Sequence, residues 1–329
     1  MRVDIHSHFI CLDFIKHLQG RDSLPASTFE DGTYVTTCCP GFRIPAVPRF
    51  VDMEVKLRDM EEMKVDVSVL SHVQPGSEVL PGNEADYWAS RINDHLAGII
   101  EKYPRKFLGW GCLGFGSTER TIKEIDRCIS ELGFVGILLY SNINGKALDS
   151  PEFRPIYKHI ARLGVPIFMH PTTPLNLVGM DKGSLISGLG FLYDTSLNTV
   201  RLIQSGLFDE EPDLKLIMPH VGGVLPYLKG RLERTNEPAF RSMSYQPPLQ
   251  HPFGYYLSQQ LYFDTVCYHI EALEYCYRMV GGDRLLYGTD HPVGQPFELV
   301  AGMLERLQCT DEERDLIYCG NAKRLLRVK

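Results

Sequence analysis

At 329 residues and 44% hydrophobic, the chain is long enough to bury a large core, either as one big α/β domain or as two smaller ones. A formal net charge of −7 excludes the basic footprint that nucleic acid and anionic membrane surfaces require, which leaves a small solute as the expected partner. Nine cysteines without C-x-x-C spacing, two of them adjacent at Cys38 and Cys39, fit neither a zinc ribbon nor a disulfide framework and point to a reducing, cytoplasmic compartment.

The chain opens with Met1-Arg2-Val3-Asp4-Ile5-His6 and no long apolar run follows, so neither a signal peptide nor a membrane span is expected. Short β-branched or apolar runs then alternate with stretches of helical period, the pattern of repeated βα units around a parallel sheet. The strand candidates in order are Arg2 to His6, Asp66 to Ser71, Phe107 to Leu113, Phe134 to Leu139, Pro166 to His170, Leu214 to Pro219, Leu261 to Thr265 and Arg284 to Gly288. Helical patterns lie between them at Glu84 to Lys102, Ser117 to Leu132, Ser150 to Leu163, Thr195 to Phe208, Gly222 to Arg234 and His269 to Val280. Ser117 and Ser150 stand as candidate caps ahead of an acid or a proline. Eight such units predict one (β/α)8 TIM barrel over residues 1–329, and no glycine-rich dinucleotide fingerprint follows the first strand to favour an open sheet.

Three connections exceed what a barrel needs. Residues 20–49 form an insertion after strand 1 with strand-like pieces at Gly32 to Val35 and Gly41 to Ile44, expected to line an active site. Pro171 to Phe191 is rich in glycine, and Glu237 to Gln260 carries Pro247, Pro248 and Pro252.

The chemistry concentrates where strands end. His6 and His8 stand two apart, so strand alternation turns both imidazoles to one side. His170 ends the fifth strand, His220 the sixth, and Asp290 follows the eighth. All five fall at carboxyl ends, the face on which barrel active sites form. His6, His8, His170 and Asp290 make an N3O donor set that suits Zn2+, with Mn2+, Fe2+ or Co2+ also acceptable. A catalytic ion needs an open position, so His220, although able to act as a fifth ligand, is assigned as an acid/base hydrogen-bonded to water on the ion.

With these residues in view, the chain resembles the metal-dependent amidohydrolase superfamily, and within it the branch typified by aminocarboxymuconate semialdehyde decarboxylase. The resemblance spans nearly the whole chain: Val3-Asp4-Ile5-His6-Ser7-His8, Arg58-Asp59-Met60, Tyr103-Pro104-Arg105-Lys106-Phe107, Glu131-Leu132-Gly133-Phe134, Asp194-Thr195-Ser196, Pro212-Asp213-Leu214-Lys215, His220-Val221-Gly222-Gly223 and Gly288-Thr289-Asp290-His291-Pro292. It implies a non-oxidative decarboxylase of aromatic or unsaturated carboxylic acids, such as a hydroxybenzoate, commonly a homodimer and without an organic cofactor. Two-metal hydrolases of the wider superfamily place a bridging lysine or acid at the end of strand four, whereas Ile137-Leu138-Leu139-Tyr140 offers neither, so one ion is expected. Asp290 becomes the candidate proton shuttle.

The resemblance also implies substrate contacts. Arg43 in Gly41-Phe42-Arg43 matches a Phe-Arg pair that binds substrate carboxylate, with Arg49 the nearest substitute. Arg241 stands near where the branch can send an arginine into a neighbouring subunit's site, at an offset spacing. His72, at a strand end where the branch generally has no histidine, is read either as a tuner of substrate choice or as structural. Phe191 is read as a pocket wall or as packing. Hydrolysis of a lactone, ester or amide is the alternative reaction, with hydration a third.

Overall fold

In the computed structural model, residues 1–237 and 248–328 are described. Strand β1 (Val3–Phe9) is followed by an antiparallel three-stranded sheet of β2 (Ala26–Glu30), β3 (Thr33–Cys39) and β4 (Phe42–Pro45). Then come β5 (Val67–His72), β6 (Phe107–Gly111), β7 (Gly136–Tyr140), β8 (Ile167–His170), β9 (Leu216–Met218), β10 (Leu261–Asp264) and β11 (Leu285–Leu286). Every pairing from β1 through β5 to β11 is parallel and in chain order. The ring closes back on β1: the Ile5 amide donates to the Tyr287 carbonyl at 3.0 Å, the Asp290 amide to His6 at 2.7 Å and the His8 amide to His291 at 2.7 Å. The architecture is a (β/α)8 barrel.

A bulge in β1 decides which side chains see the barrel axis. Asp4 pairs with Ser68 and Ser7 with Leu70, so β1 spends one residue more than its partner across that interval. Val3 and Ile5 face inward with Val69, Leu138 and Leu286, and after the extra residue His6 and His8 face inward as well. Ser7 and Phe9 point to the helical layer, where Ser7 meets Lys56 and Phe9 packs on His72.

Beneath the histidines the barrel is filled by apolar side chains, among them Trp110, Phe168 and Ile217, each no more than 1% exposed. The Trp110 indole donates to the Ile5 carbonyl at 2.9 Å and stacks on Phe168 at 5.3 Å between centroids. Phe168 in turn meets the His6 ring at 4.9 Å. The result is a dry floor under the mouth of the barrel.

All eight expected barrel strands are present, with ends shifted by a few residues. Ser117 caps its helix, accepting from the Arg120 amide at 3.3 Å. Ser150 does not; its hydroxyl donates to the Ala147 carbonyl and a short 3-10 turn, Pro151–Phe153, precedes the helix. The helix Met53–Glu62 escapes a periodicity reading because two of its buried positions, Lys56 and Asp59, are charged. Among the described residues no helix is long and apolar enough to cross a membrane, and all nine cysteines are free.

The floor makes a stability prediction. Trp110→Ala should lower the unfolding free energy by about 3–5 kcal/mol, read from urea unfolding, because it removes both packing and the bond to Ile5. A loss below ~1 kcal/mol would mean that the floor is not tightly packed.

Candidate metal centre

Three strand ends bring His6, His8, His170 and Asp290 together, all buried, with one potential ligand atom from each lying within 4.8 Å of the others. Bonds of about 2.1 Å from each nitrogen or oxygen to one central ion need only a small contraction of that cluster. The rings interleave edge to face, His8 and His170 at 4.5 Å and His6 and His8 at 4.9 Å between centroids.

The hydrogen bonds around the rings settle which nitrogens face the centre. His6 Nδ1 donates to Asp264 Oδ2 at 2.6 Å, His8 Nδ1 to Ser71 Oγ at 2.9 Å, and His170 Nδ1 to the Pro171 carbonyl at 2.8 Å. The Ser71 hydroxyl passes its own proton to the Ser7 carbonyl at 3.3 Å, which leaves its oxygen free to accept. With Nδ1 occupied in all three rings, the Nε2 lone pairs converge beside Asp290 Oδ1, which lies 3.2 Å from His6 Nε2 and 2.9 Å from His8 Nε2. His6 Nε2 is fully buried and has no hydrogen-bond partner. An orphaned imidazole nitrogen in a three-imidazole, one-carboxylate cage fits a divalent ion.

Electrostatics sharpen the fit. Burial disfavours charge on His6, yet Asp290 and Asp264 on either side outweigh it and raise the imidazolium to about 10. His8 is lowered to about 4, first by burial, and His170 is held well below its ordinary value by burial and then by His8 and His6. For Asp290 burial works upward, but the charge of His6 and the close approach of His220, His6 and His8 hold the carboxyl well below the usual range.

His220 sits where β9 ends, with Nε2 3.6 Å from Asp290 Oδ2. Its backbone and that of Val221 adopt φ of 56° and 48°, a left-handed conformation that is costly for a β-branched residue. Asp264 holds this turn: Oδ1 accepts from the Val221 amide at 3.1 Å while Oδ2 accepts from His6. One carboxylate therefore orients a candidate ligand and the His220 loop together. Asp264 was not anticipated, although it ends β10 in Leu261-Tyr262-Phe263-Asp264 by the same rule that singles out His170.

A second buried network supports the Asp290 segment from outside the barrel. Lys56 Nζ donates to His291 Nδ1 at 2.8 Å and to Ser7 Oγ at 3.2 Å, and His291 Nε2 donates to Asp59 Oδ2 at 2.9 Å. Arg49 closes the chain through its Nε on Asp59 at 2.8 Å. Burial lowers Lys56 to about 7, and burial together with Lys56 keeps His291 neutral. Asp4 adds a clamp across the seam, accepting from the Thr289 amide at 3.0 Å and its hydroxyl at 2.7 Å. The helix Met53–Glu62 thus reaches the centre through Lys56 and Asp59.

Of the candidate substrate contacts, three fall on described residues, and none of these three is among the residues gathered at the centre. Arg43 does not reach the centre: alternation in β4 buries Ile44 and turns Arg43 outward, where Glu30 holds its guanidinium at 2.5 Å on the exposed face. His72 points away from the barrel axis, packed between Phe9 at 5.4 Å and Phe14 at 5.6 Å, because its neighbour Ser71 takes the inward position. Phe191 packs on Phe42 at 5.0 Å beside Cys39 and Ile186, joining the insertion sheet to the loop after β8. Arg241 lies outside the described residues.

Comparison with known proteins agrees with this geometry. The family profile described as amidohydrolase matches residues 3–328. Over 283 residues the chain is 31% identical to a 2-amino-3-carboxymuconate-6-semialdehyde decarboxylase of Dictyostelium discoideum, covering 84% of this chain and 76% of that relative. A gamma-resorcylate decarboxylase of Polaromonas sp. is 29% identical over 293 residues, covering 85% and 89%. The crystal structure of a dihydroxybenzoic acid decarboxylase from Polaromonas sp., holding manganese and the inhibitor 2-nitroresorcinol, superposes with a TM-score of 0.82 at 25% identity, covering 99% of this chain and 96% of that one.

Two outcomes follow from the centre itself. Asp264→Asn should weaken binding of Mn2+ or Zn2+ about 10–100-fold in a metal titration while the far-UV spectrum is retained; unchanged affinity would deny it an orienting role. Because His6 is raised to about 10 whereas His8 and His170 are already neutral, an arriving ion must expel the His6 proton. Titrating chelator-stripped protein in weak buffer near neutrality should therefore release about one proton per ion, and affinity should rise about tenfold per pH unit until His6 loses its proton unaided. Uptake without proton release would contradict this charge assignment.

Proposed function

The chain belongs to the amidohydrolase family, and we propose that it is a metal-dependent, non-oxidative decarboxylase that removes the carboxyl group of an aromatic or unsaturated acid such as a hydroxybenzoate. The observation that carries this reading is the single N3O centre with His220 3.6 Å from its carboxylate. The decarboxylase relatives support the substrate class.

His6, His8, His170 and Asp290 would hold one divalent ion. Zn2+ suits the donors, and Mn2+ is the ion of the Polaromonas structure. When bound, that ion supplies a positive charge that attracts the substrate's carboxylate and a neighbouring oxygen. The chain's own groups do the rest. The Phe168 and Trp110 floor keeps water from beneath the reacting carbon. Asp290 delivers a proton to the carbon bearing the carboxylate; the bond to the carboxyl carbon then breaks, its electrons return to the ring or double bond, and CO2 leaves. One proton enters for each CO2 released, so charge and atoms balance. His220, with Nε2 3.6 Å from Asp290 Oδ2, is placed to resupply that proton. The nine free cysteines support a reducing cytoplasmic setting, and we take the working unit to be a homodimer, testable by sedimentation.

The test is a panel of hydroxybenzoates incubated with metal-replete protein. Decarboxylation releases CO2 and leaves solvent deuterium on the vacated carbon, whereas uptake of water oxygen without CO2 would establish hydrolysis instead. Replacing His220 with Asn should cut turnover by about 10²–10⁴-fold with metal content preserved, and near-normal turnover would remove it from the proton path.

A further inference from the structure

The three imidazoles of the centre give their Nδ1 protons to acceptors of different kinds: the Asp264 carboxylate for His6, the Ser71 hydroxyl for His8 and, for His170, the neutral carbonyl of Pro171. Behind that carbonyl stands a buried carboxylate with no place in the cage. Asp194, of the Asp194-Thr195-Ser196 segment, is 1% exposed in the first turn of the helix Phe191–Gln204. It accepts from three uncharged donors: the Ser141 hydroxyl at 2.6 Å and the Asn142 side-chain amide at 3.1 Å on Oδ2, and the Leu175 backbone amide at 3.0 Å on Oδ1. Ser141 and Asn142 follow directly on β7, and Leu175 lies five residues beyond His170. One side chain therefore ties together the connections that leave β7 and β8.

Ser141 carries the link to the ring. While its hydroxyl donates to Asp194, its oxygen accepts from the Thr172 amide at 3.3 Å, and its own amide donates to the His170 carbonyl at 2.8 Å. The Thr172 N–H and the Pro171 C=O belong to one planar peptide unit. The carbonyl that receives the His170 proton thus cannot turn without breaking the Ser141 contact. Asn142 adds a second hold on the same segment, its side-chain amide donating to the Thr173 carbonyl at 2.9 Å. A peptide whose N–H is engaged by a polarised hydroxyl is also a stronger acceptor at its C=O, because hydrogen bonds in a chain reinforce one another.

We propose that Asp194 is a positioning residue for the metal centre: through Ser141 and the Pro171–Thr172 peptide it fixes the His170 ring with Nε2 toward the cage and strengthens it as a ligand, the part that Asp264 plays for His6 by direct contact. This rests on the reading of the four donors as a metal site and is independent of the reaction that follows there. The chain runs from His170 Nδ1 to the Pro171 carbonyl, across the peptide to the Thr172 amide, and on through the Ser141 hydroxyl to Asp194. Every proton in it points toward the carboxylate, so the negative charge is felt at the imidazole although no charged group touches Nδ1.

The test measures Mn2+ affinity by calorimetry on chelator-stripped wild type, Ser141→Ala, Asp194→Asn, the double variant and Tyr157→Phe. Tyr157 is the control, a buried hydroxyl that donates to the Leu148 carbonyl at 2.8 Å in the connection after β7 and stands outside the chain. Ser141→Ala should weaken Mn2+ about tenfold and Asp194→Asn about 10–100-fold. Tyr157→Phe should lower the melting temperature and leave affinity within about twofold of wild type. Because the two lesions interrupt one chain, the double variant should bind within about twofold of Asp194→Asn alone instead of showing the product of the single losses. In metal-free protein carrying isotope-labelled histidine, the His170 Nδ1–H resonance should persist in wild type and weaken through solvent exchange in Ser141→Ala. That reading needs neither bound metal nor CO2 release, so it separates the role of Asp194 from the proposed function. Single losses that multiply in the double variant, or a Ser141→Ala protein that keeps both wild-type affinity and the Nδ1–H resonance, would overturn the proposal.

Discussion

The structure depends on the seam where the last barrel strand returns to the first. Three backbone hydrogen bonds, Ile5 to Tyr287, Asp290 to His6 and His8 to His291, close the ring, and the same bonds set the carboxylate of Asp290 beside two imidazoles that precede it by more than half the barrel's circuit of strands. Closure and site assembly are therefore one event. The clamp of Asp4 on Thr289 and the Lys56, His291 and Asp59 chain are built against this seam, which is why buried charged groups gather on the outside of the barrel just there.

Bringing three imidazoles and a carboxylate together in a dry pocket works against stability on its own terms, through desolvation, crowding of like groups and left-handed backbone at His220, Val221 and Asp290. Each cost has a visible counterpart. Every ring has a partner for Nδ1, Asp264 secures both His6 and the His220 turn, and the apolar floor of Trp110 and Phe168 fixes the height at which the rings sit. What these supports share is that none of them occupies the centre: they orient lone pairs toward a common point and leave that point to a cation.

Much of this was legible in the sequence, and the exceptions have physical reasons. Eight strands and their carboxyl-end residues follow from alternation and from the geometry common to barrels, so the gathering of His6, His8, His170, His220 and Asp290 at one mouth was legible in the sequence. The inward turn of His6 was right for an incomplete reason: strict alternation from Ile5 would have sent Ser7 inward, and only the bulge in β1 brings both histidines to the axis. Which faces Arg43 and His72 occupy was not legible, because a residue type suited to a role says nothing about the face of its strand it stands on; Ile44 and Ser71 take the inward places. Lys56 and Asp59 were hidden in a helix whose buried face is partly charged.

The central claim is that one divalent cation is held at the seam by four donors from three strands. The most direct measurement is an anomalous difference map from crystals grown with Mn2+ and collected at the manganese edge. A single strong peak bonded to the Nε2 atoms of His6, His8 and His170 and to a carboxylate oxygen of Asp290 is the predicted result. Two peaks within that cage, or ordered manganese elsewhere with none there, would contradict it.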